Sequence, residues 1–206
     1  PIPTLSDPGV IDAQTQPGWA SAPLVRVDGA SAGGGATAFT VAAGAPGSAL
    51  RGMMVTRFSA DAIVVQSGAN NVTIAGNWLG TNGGVTALGN TNDGVQLFGA
   101  NATVGGSSFV DRNVIVNNGN EGINVSGAGA SGNIIRGNFI GLEPNGVSGA
   151  GNGDVGIALL SGGGGNTIGG VNPAERNVIS MNFEGIEITS PGNLVQGNYF
   201  GTDSTG

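Results

Sequence analysis

Gly76-Asn77-Trp78-Leu79-Gly80, Gly137-Asn138-Phe139-Ile140-Gly141 and Gly197-Asn198-Tyr199-Phe200-Gly201 are three copies of one phrase. Their asparagines lie 61 and 60 residues apart, and the segments between them repeat as well. Self-similarity at a fixed spacing marks a solenoid, in which each unit buries its apolar face only by stacking on its neighbours. Working outward, three markers recur in the same order. The first is Gly-x-hydrophobic-x-hydrophobic, as in Gly94-Val95-Gln96-Leu97, Gly122-Ile123-Asn124-Val125, Gly156-Ile157-Ala158-Leu159 and Gly185-Ile186-Glu187-Ile188. The second is hydrophobic-x-Gly, at Ile74/Gly76, Val104/Gly106, Ile135/Gly137, Ile168/Gly170 and Val195/Gly197. The third is Asn-x-hydrophobic, at Asn77/Leu79, Asn113/Ile115, Asn138/Ile140, Asn177/Ile179 and Asn198/Phe200.

Each marker alternates apolar with other residues over three to five positions, too short a run for a helix and suited to a strand. The pattern predicts an all-β parallel β-helix solenoid with three short strands per coil. About seven coils are expected, grouped in pairs that give a superperiod of about 60 residues. Pairing of coils follows from loop lengths. Coils containing Leu79 and Ile140 return to the next strand by a long loop, Gly80 to Asp93 and Gly141 to Val155. Coils containing Ile115 and Ile179 return directly, but carry an extra loop before their asparagine, Ser107 to Arg112 and Val171 to Arg176.

The 42 glycines and 9 prolines would suggest disorder in a chain without a period. Here glycines fall at equivalent corners, where positive φ or close backbone approach is needed. All 22 asparagines lie from Asn70 onward, so the first third is built differently. It still offers the alternating runs Leu24-Val25-Arg26-Val27 and Phe39-Thr40-Val41. We expect one domain over 1–206, with 1–37 as an irregular N-terminal coil and cap and 38–206 as repeat coils.

The formal charge is −7, and all six basic residues are arginine: Arg26, Arg51, Arg57, Arg112, Arg136 and Arg176. So few cations disfavour nucleic acid and anionic membranes as partners. No apolar run is long enough for a spanning helix. Cysteine is absent, which excludes disulfides and thiolate metal sites. The sequence begins at Pro1, and reads as a mature product or a piece of a longer protein.

Gly197-Asn198-Tyr199-Phe200-Gly201-Thr202-Asp203, Arg176-Asn177-Val178-Ile179-Ser180 and Glu184-Gly185-Ile186-Glu187-Ile188 resemble the right-handed parallel β-helix, pectate-lyase-like superfamily. More closely, they are similar to Asn/Gly-rich repeats of large bacterial secreted and cell-surface proteins. Val10-Ile11-Asp12-Ala13-Gln14-Thr15-Gln16-Pro17-Gly18 resembles the opening of such modules. The resemblance implies a right-handed solenoid at an extracellular or cell-surface location. It does not choose an activity, since the superfamily holds lyases, hydrolases, epimerases and adhesins alike.

Four features are candidate sites. Asp61, Asp93, Glu121, Asp154 and Glu184 form a column of carboxylates at the corner before the Gly-x-hydrophobic strand, with Asp154 one residue out of phase. Stacked acids about 5 Å apart could bind Ca²⁺ or act as an acid/base pair, or be a solvated polar corner. Trp78, Phe139 and Tyr199 project outward, as an aromatic stripe for sugar stacking or as a platform under the long loops. Asn77, Asn113, Asn138, Asn177 and Asn198 read as an internal amide ladder that satisfies corner backbone groups. Gly162 to Gly165 lacks the lysine and following helix of a phosphate loop and reads as a corner.

Pectate-lyase-like catalysis, as the resemblance implies it, wants calcium-binding acids beside a basic residue, and polygalacturonase-like catalysis wants clustered aspartates with histidine and lysine. This chain has neither histidine nor lysine, and Arg112 and Arg176 each directly follow an acid. The expectation is a non-catalytic structural or adhesive module with no cofactor. The other reading is a polysaccharide-active enzyme or carbohydrate-binding module. No capping segment follows Phe200, so the final coil is expected to be incomplete and uncovered. Its partners would be other copies of itself, as in a filament, or further coils of a longer chain.

Overall fold

The computed structural model describes residues 2–84, 87–161 and 163–206. Val85 and Thr86 of the first long loop, and Gly162 of the glycine run, fall outside these. Each coil passes once through each of three parallel sheets. The first stacks seven strands from Val10–Asp12 to Leu194–Gln196, the second seven from Val25–Asp28 to Tyr199–Phe200. The third stacks six, from Phe39–Val41 to Glu184–Ile188. The chain is a parallel β-helix.

In-register pairing turns each sequence marker into a column of like residues. Leu50, Ile74, Val104, Ile135 and Ile168 stack in the first sheet, and Val55, Leu79, Ile115, Ile140 and Ile179 in the second. The third sheet contributes two columns, because its marker carries two inward hydrophobes, as Ile123 and Val125 do. These columns merge into one buried core. Burying each Leu, Ile or Val stabilises the fold by about 1.5–3 kcal/mol. Outward neighbours such as Gln96 and Asn124 lie on the opposite face, as the two-residue period of a strand requires.

Residues 10–37 are more regular than a cap. Val10–Asp12 pairs with Ala49–Arg51 and Val25–Asp28 with Met53–Thr56 in unbroken parallel register, so this stretch makes most of a true coil. Its irregularity lies in the connections, such as the 3₁₀ turn Ala13–Thr15. Ahead of it, Leu5 bridges Val41 and covers the edge of the third sheet.

The inserted loops lie over the second sheet. The 3₁₀ turns Phe109–Asp111 and Pro173–Glu175 form the extra loops, and Asp111 and Glu175 accept backbone bonds from Gly76 and Gly137 of the preceding coil. The two long loops are latched together by Thr81 Oγ, which donates to Glu143 Oε2 (2.8 Å). Beneath the loops, Val114, Val116, Phe139, Leu142 and Val178 form a second apolar cluster outside the coil. Gly80, at φ +95, starts the first long loop where a β-carbon would run into the Val116 carbonyl oxygen. Only glycine fits there.

Candidate functional site

Asparagine ladders mark all three corners. In the first, Asn77, Asn113, Asn138, Asn177 and Asn198 are joined by Nδ2–H···Oδ1 bonds of 3.2, 2.9, 2.9 and 2.9 Å. Each Oδ1 also accepts the backbone N–H of the preceding coil's ladder position, beginning with Met53. Each Nδ2 further donates to a carbonyl of the coil before, as Asn138 does to Val104 (3.0 Å). A single side chain thus supplies the donors and acceptor that a buried corner lacks.

Two further ladders escaped the sequence reading. Asn90, Asn118, Asn152 and Asn182 join at 2.9, 3.0 and 2.9 Å, and Asn133, Asn166 and Asn193 at 3.0 and 2.9 Å. A signal for the last was present, since Asn133/Ile135, Asn166/Ile168 and Asn193/Val195 repeat the Asn-x-hydrophobic spacing. Asn166 Nδ2 also donates to Gly163 O (3.1 Å), fixing the described end of the glycine run.

The carboxylate column is shorter than its sequence pattern. Asp61 Oδ1 accepts the backbone N–H of Asp93, and Asp93 Oδ1 that of Glu121, both at 3.2 Å. Asp154 does not join them. The Gly122 N–H donates to Val155 O, as Gly94 does to Glu121 O, so Val155 takes the column position. Glu184 pairs with Val155 and is exposed, cut off from the other acids by that apolar side chain. Asp93 and Glu121 are only 3% and 8% exposed. Burial, a hydrogen bond shared with Glu121 and the charges of Glu121 and Asp61 push Asp93 up to about 8. Burial also raises Asp61. A carboxyl that holds its proton near neutrality relieves the repulsion of stacked acids. Among the described residues no three acids converge as metal ligands.

The aromatic residues carry loops on their faces, and Phe139 and Tyr199 arginines as well. A β-carbon on Gly83, Gly146 or Gly206 would touch Trp78, Phe139 or Tyr199 respectively, so each ring lies under the loop of its own coil. Phe139 is buried, and Trp78 and Tyr199 are partly so. The Arg112 guanidinium carbon lies 4.1 Å from the Phe139 ring centre, and that of Arg176 3.9 Å from Tyr199. Arg112 and Arg176 turn away from the acids beside them in sequence. Asp111 instead meets Arg51 (3.4 Å) and Glu175 meets Arg136 (2.8 Å). Comparison of the chain with protein-family models, curated proteins and solved structures finds no match, so its site geometry alone speaks for its function.

Proposed function

We propose that the chain is a non-catalytic structural or adhesive β-helix module of a secreted or cell-surface protein, which extends by stacking further coils on its C-terminal face. One observation carries this reading, the state of that face. Ile186, Ile188, Val195 and Phe200 end the inward columns, and Ile188 and Phe200 are each 47% exposed. Their partners one coil earlier, Leu159 and Ile179, are 0% and 1% exposed. A concavity of about 580 Å³ opens there, walled by Ile179, Asn182, Ile186 and Phe200. At the same face the backbone N–H groups of Asn182, Asn193 and Asn198 have no acceptor among the described residues.

Apolar columns ringed by corner donors are complementary to another coil of the same kind, from a second copy or a longer chain. The acids of the carboxylate column support the structural reading too, since Asp61 and Asp93 accept backbone bonds from the next coil. Sedimentation over a wide concentration range tests stacking. The chain should associate, and the paired variant Ile188→Glu, Phe200→Glu should not. A parent chain that stays monomeric at every concentration overturns stacking between copies, and a variant that associates as the parent does overturns the assignment of the face.

A further inference from the structure

Four of the six arginines engage carboxylates: Arg26 and Arg57 meet Asp28, Arg51 meets Asp111, and Arg136 meets Glu175. Arg112 and Arg176 make no ion pair among the described residues, in a chain of net charge −7. They hold equivalent places in the two extra loops, two coils apart, and are fixed the same way. Nε of Arg112 donates to Gly137 O (3.2 Å) and Nε of Arg176 to Gly197 O (2.9 Å). Each guanidinium lies against an aromatic ring, Arg112 also 5.1 Å from the Phe109 ring centre. The Nη groups of both make no hydrogen bond among the described residues, and neither is sealed from solvent.

Both arginines line one lateral cleft of about 340 Å³, together with Phe109, Phe139, Asn145 and Ser204. The Ser204 hydroxyl also has no partner among the described residues. Burial lowers the Arg112 pKa, a sign that its charge is uncompensated where it sits. A partly desolvated cation without a counter-charge is costly, and a bound anion offsets that cost. Guanidinium forks are shaped for two-point contact with oxyanions.

We propose that this cleft binds a sparse linear polyanion, an acidic polysaccharide whose carboxylate or sulfate groups sit on the Nη forks of Arg112 and Arg176. Two coil spacings separate the arginines, about 10 Å along the axis. Nucleic acid strands carry a charge about every 3.4 Å, a density the surrounding negative protein opposes. A polymer with wider charge spacing places an anion on each fork and leaves neutral hydroxyls for Ser204 between them. This binding is independent of end stacking, and a monomeric chain binds equally well.

Fluorescence anisotropy with labelled hyaluronate (one carboxylate per disaccharide), κ-carrageenan (one sulfate per disaccharide), neutral dextran and single-stranded DNA tests the proposal. At least one acidic polysaccharide should bind, more weakly as salt rises, and neutral dextran should not. The two acidic polymers tell carboxylate from sulfate recognition. Arg112→Gln and Arg176→Gln should each weaken binding about tenfold, while Arg57→Gln leaves it unchanged. Arg112→Lys, which keeps the charge but not the fork, should fall between. Circular dichroism melts identify any variant that fails to fold, in which case the remaining arginine variants decide. The proposal is overturned if neither acidic polysaccharide binds, or if the double glutamine variant binds as the parent does. Equal or tighter binding of DNA, or full competition by glucuronate monomer or inorganic sulfate, overturns it as well.

Discussion

Replacing Asn138 by alanine removes the middle rung of the first ladder, and its cost can be worked out bond by bond. Asn138 Oδ1 accepts from the Asn113 backbone N–H (3.2 Å) and from Asn113 Nδ2 (2.9 Å). Its Nδ2 donates to Val104 O, Arg136 O and Asn177 Oδ1. After truncation, Asn113 Nδ2 keeps its bond to Ile74 O, and Asn177 Oδ1 keeps the Asn138 backbone N–H. The Asn113 backbone N–H is left with nothing, at a position with 0% exposure. One orphaned buried donor costs about 1–3 kcal/mol, and the lost side-chain bonds bring the total to about 2–4 kcal/mol. In a chain of this size each kcal/mol lowers the melting temperature by about 2–4 °C. Asn198→Ala is the control: the donors it abandons belong to Asn177, itself buried, but Asn198 is the half-buried rung at the open face, so removing its amide opens those donors to water. It should cost less than about 1 kcal/mol. Thermal and urea unfolding followed by circular dichroism compare the two. If Asn138→Ala falls within about 0.5 kcal/mol of the parent, or if the two variants cost the same, the ladder does not stabilise the corner as argued.

Asp93 makes the fold sensitive to pH. Its folded pKa of about 8 exceeds the ordinary aspartate value near 3.8, so the native chain holds a proton that the unfolded chain releases between those values. Its contribution to stability is complete below about pH 4 and is lost as pH rises toward 8, with a slope of at most about 1.4 kcal/mol per unit. Asp93→Asn keeps an oxygen for the Glu121 N–H and cannot ionise, so its melting temperature should vary less with pH over this window. Parallel curves for parent and variant would contradict the assignment. Gly80→Ala should cost at least about 2 kcal/mol through strain and collision with the Val116 carbonyl. Gly47→Ala, at φ +74 with open space around it, should cost only about 1 kcal/mol. Equal losses at the two glycines would show that backbone strain alone matters.

Inward columns were the most legible part of this molecule. Leu79, Ile115, Ile140, Ile179 and Phe200 stand at a constant offset from an asparagine, and parallel in-register stacking preserves that offset in space. The second ladder lies in the loops ahead of the strand marker, where Asn90, Asn118 and Asn152 each precede the strand glycine by four residues and Asn182 by three. Asp154 misled because it stands two residues before its glycine where Asp93 and Glu121 stand one before theirs, which hands its place to Val155. Arginine pairing was illegible for a different cause. Asp111 ends a 3₁₀ turn and Arg112 leaves it in extended backbone, so the two side chains diverge and Asp111 finds Arg51, 60 residues earlier. Contacts between coils, rather than between sequence neighbours, set the electrostatics of the lateral cleft.

Each ladder also has a direction. In all three asparagine ladders the acceptor oxygen belongs to the later coil and the waiting N–H to the earlier one, whereas the Asp61 and Asp93 carboxylates run the other way. A chain synthesised from its N-terminus therefore lays down each turn with its corner donors still open, and the next turn closes them on arrival. Assembly of this kind advances one way. Each turn carries the open edge until the next one reaches it, while Leu5 covers the other edge of the third sheet at Val41. Reversing the order of emergence would present acceptor oxygens before any donor existed to meet them. The asparagines thus record the sequence of events by which the solenoid closes, as well as the bonds that hold it.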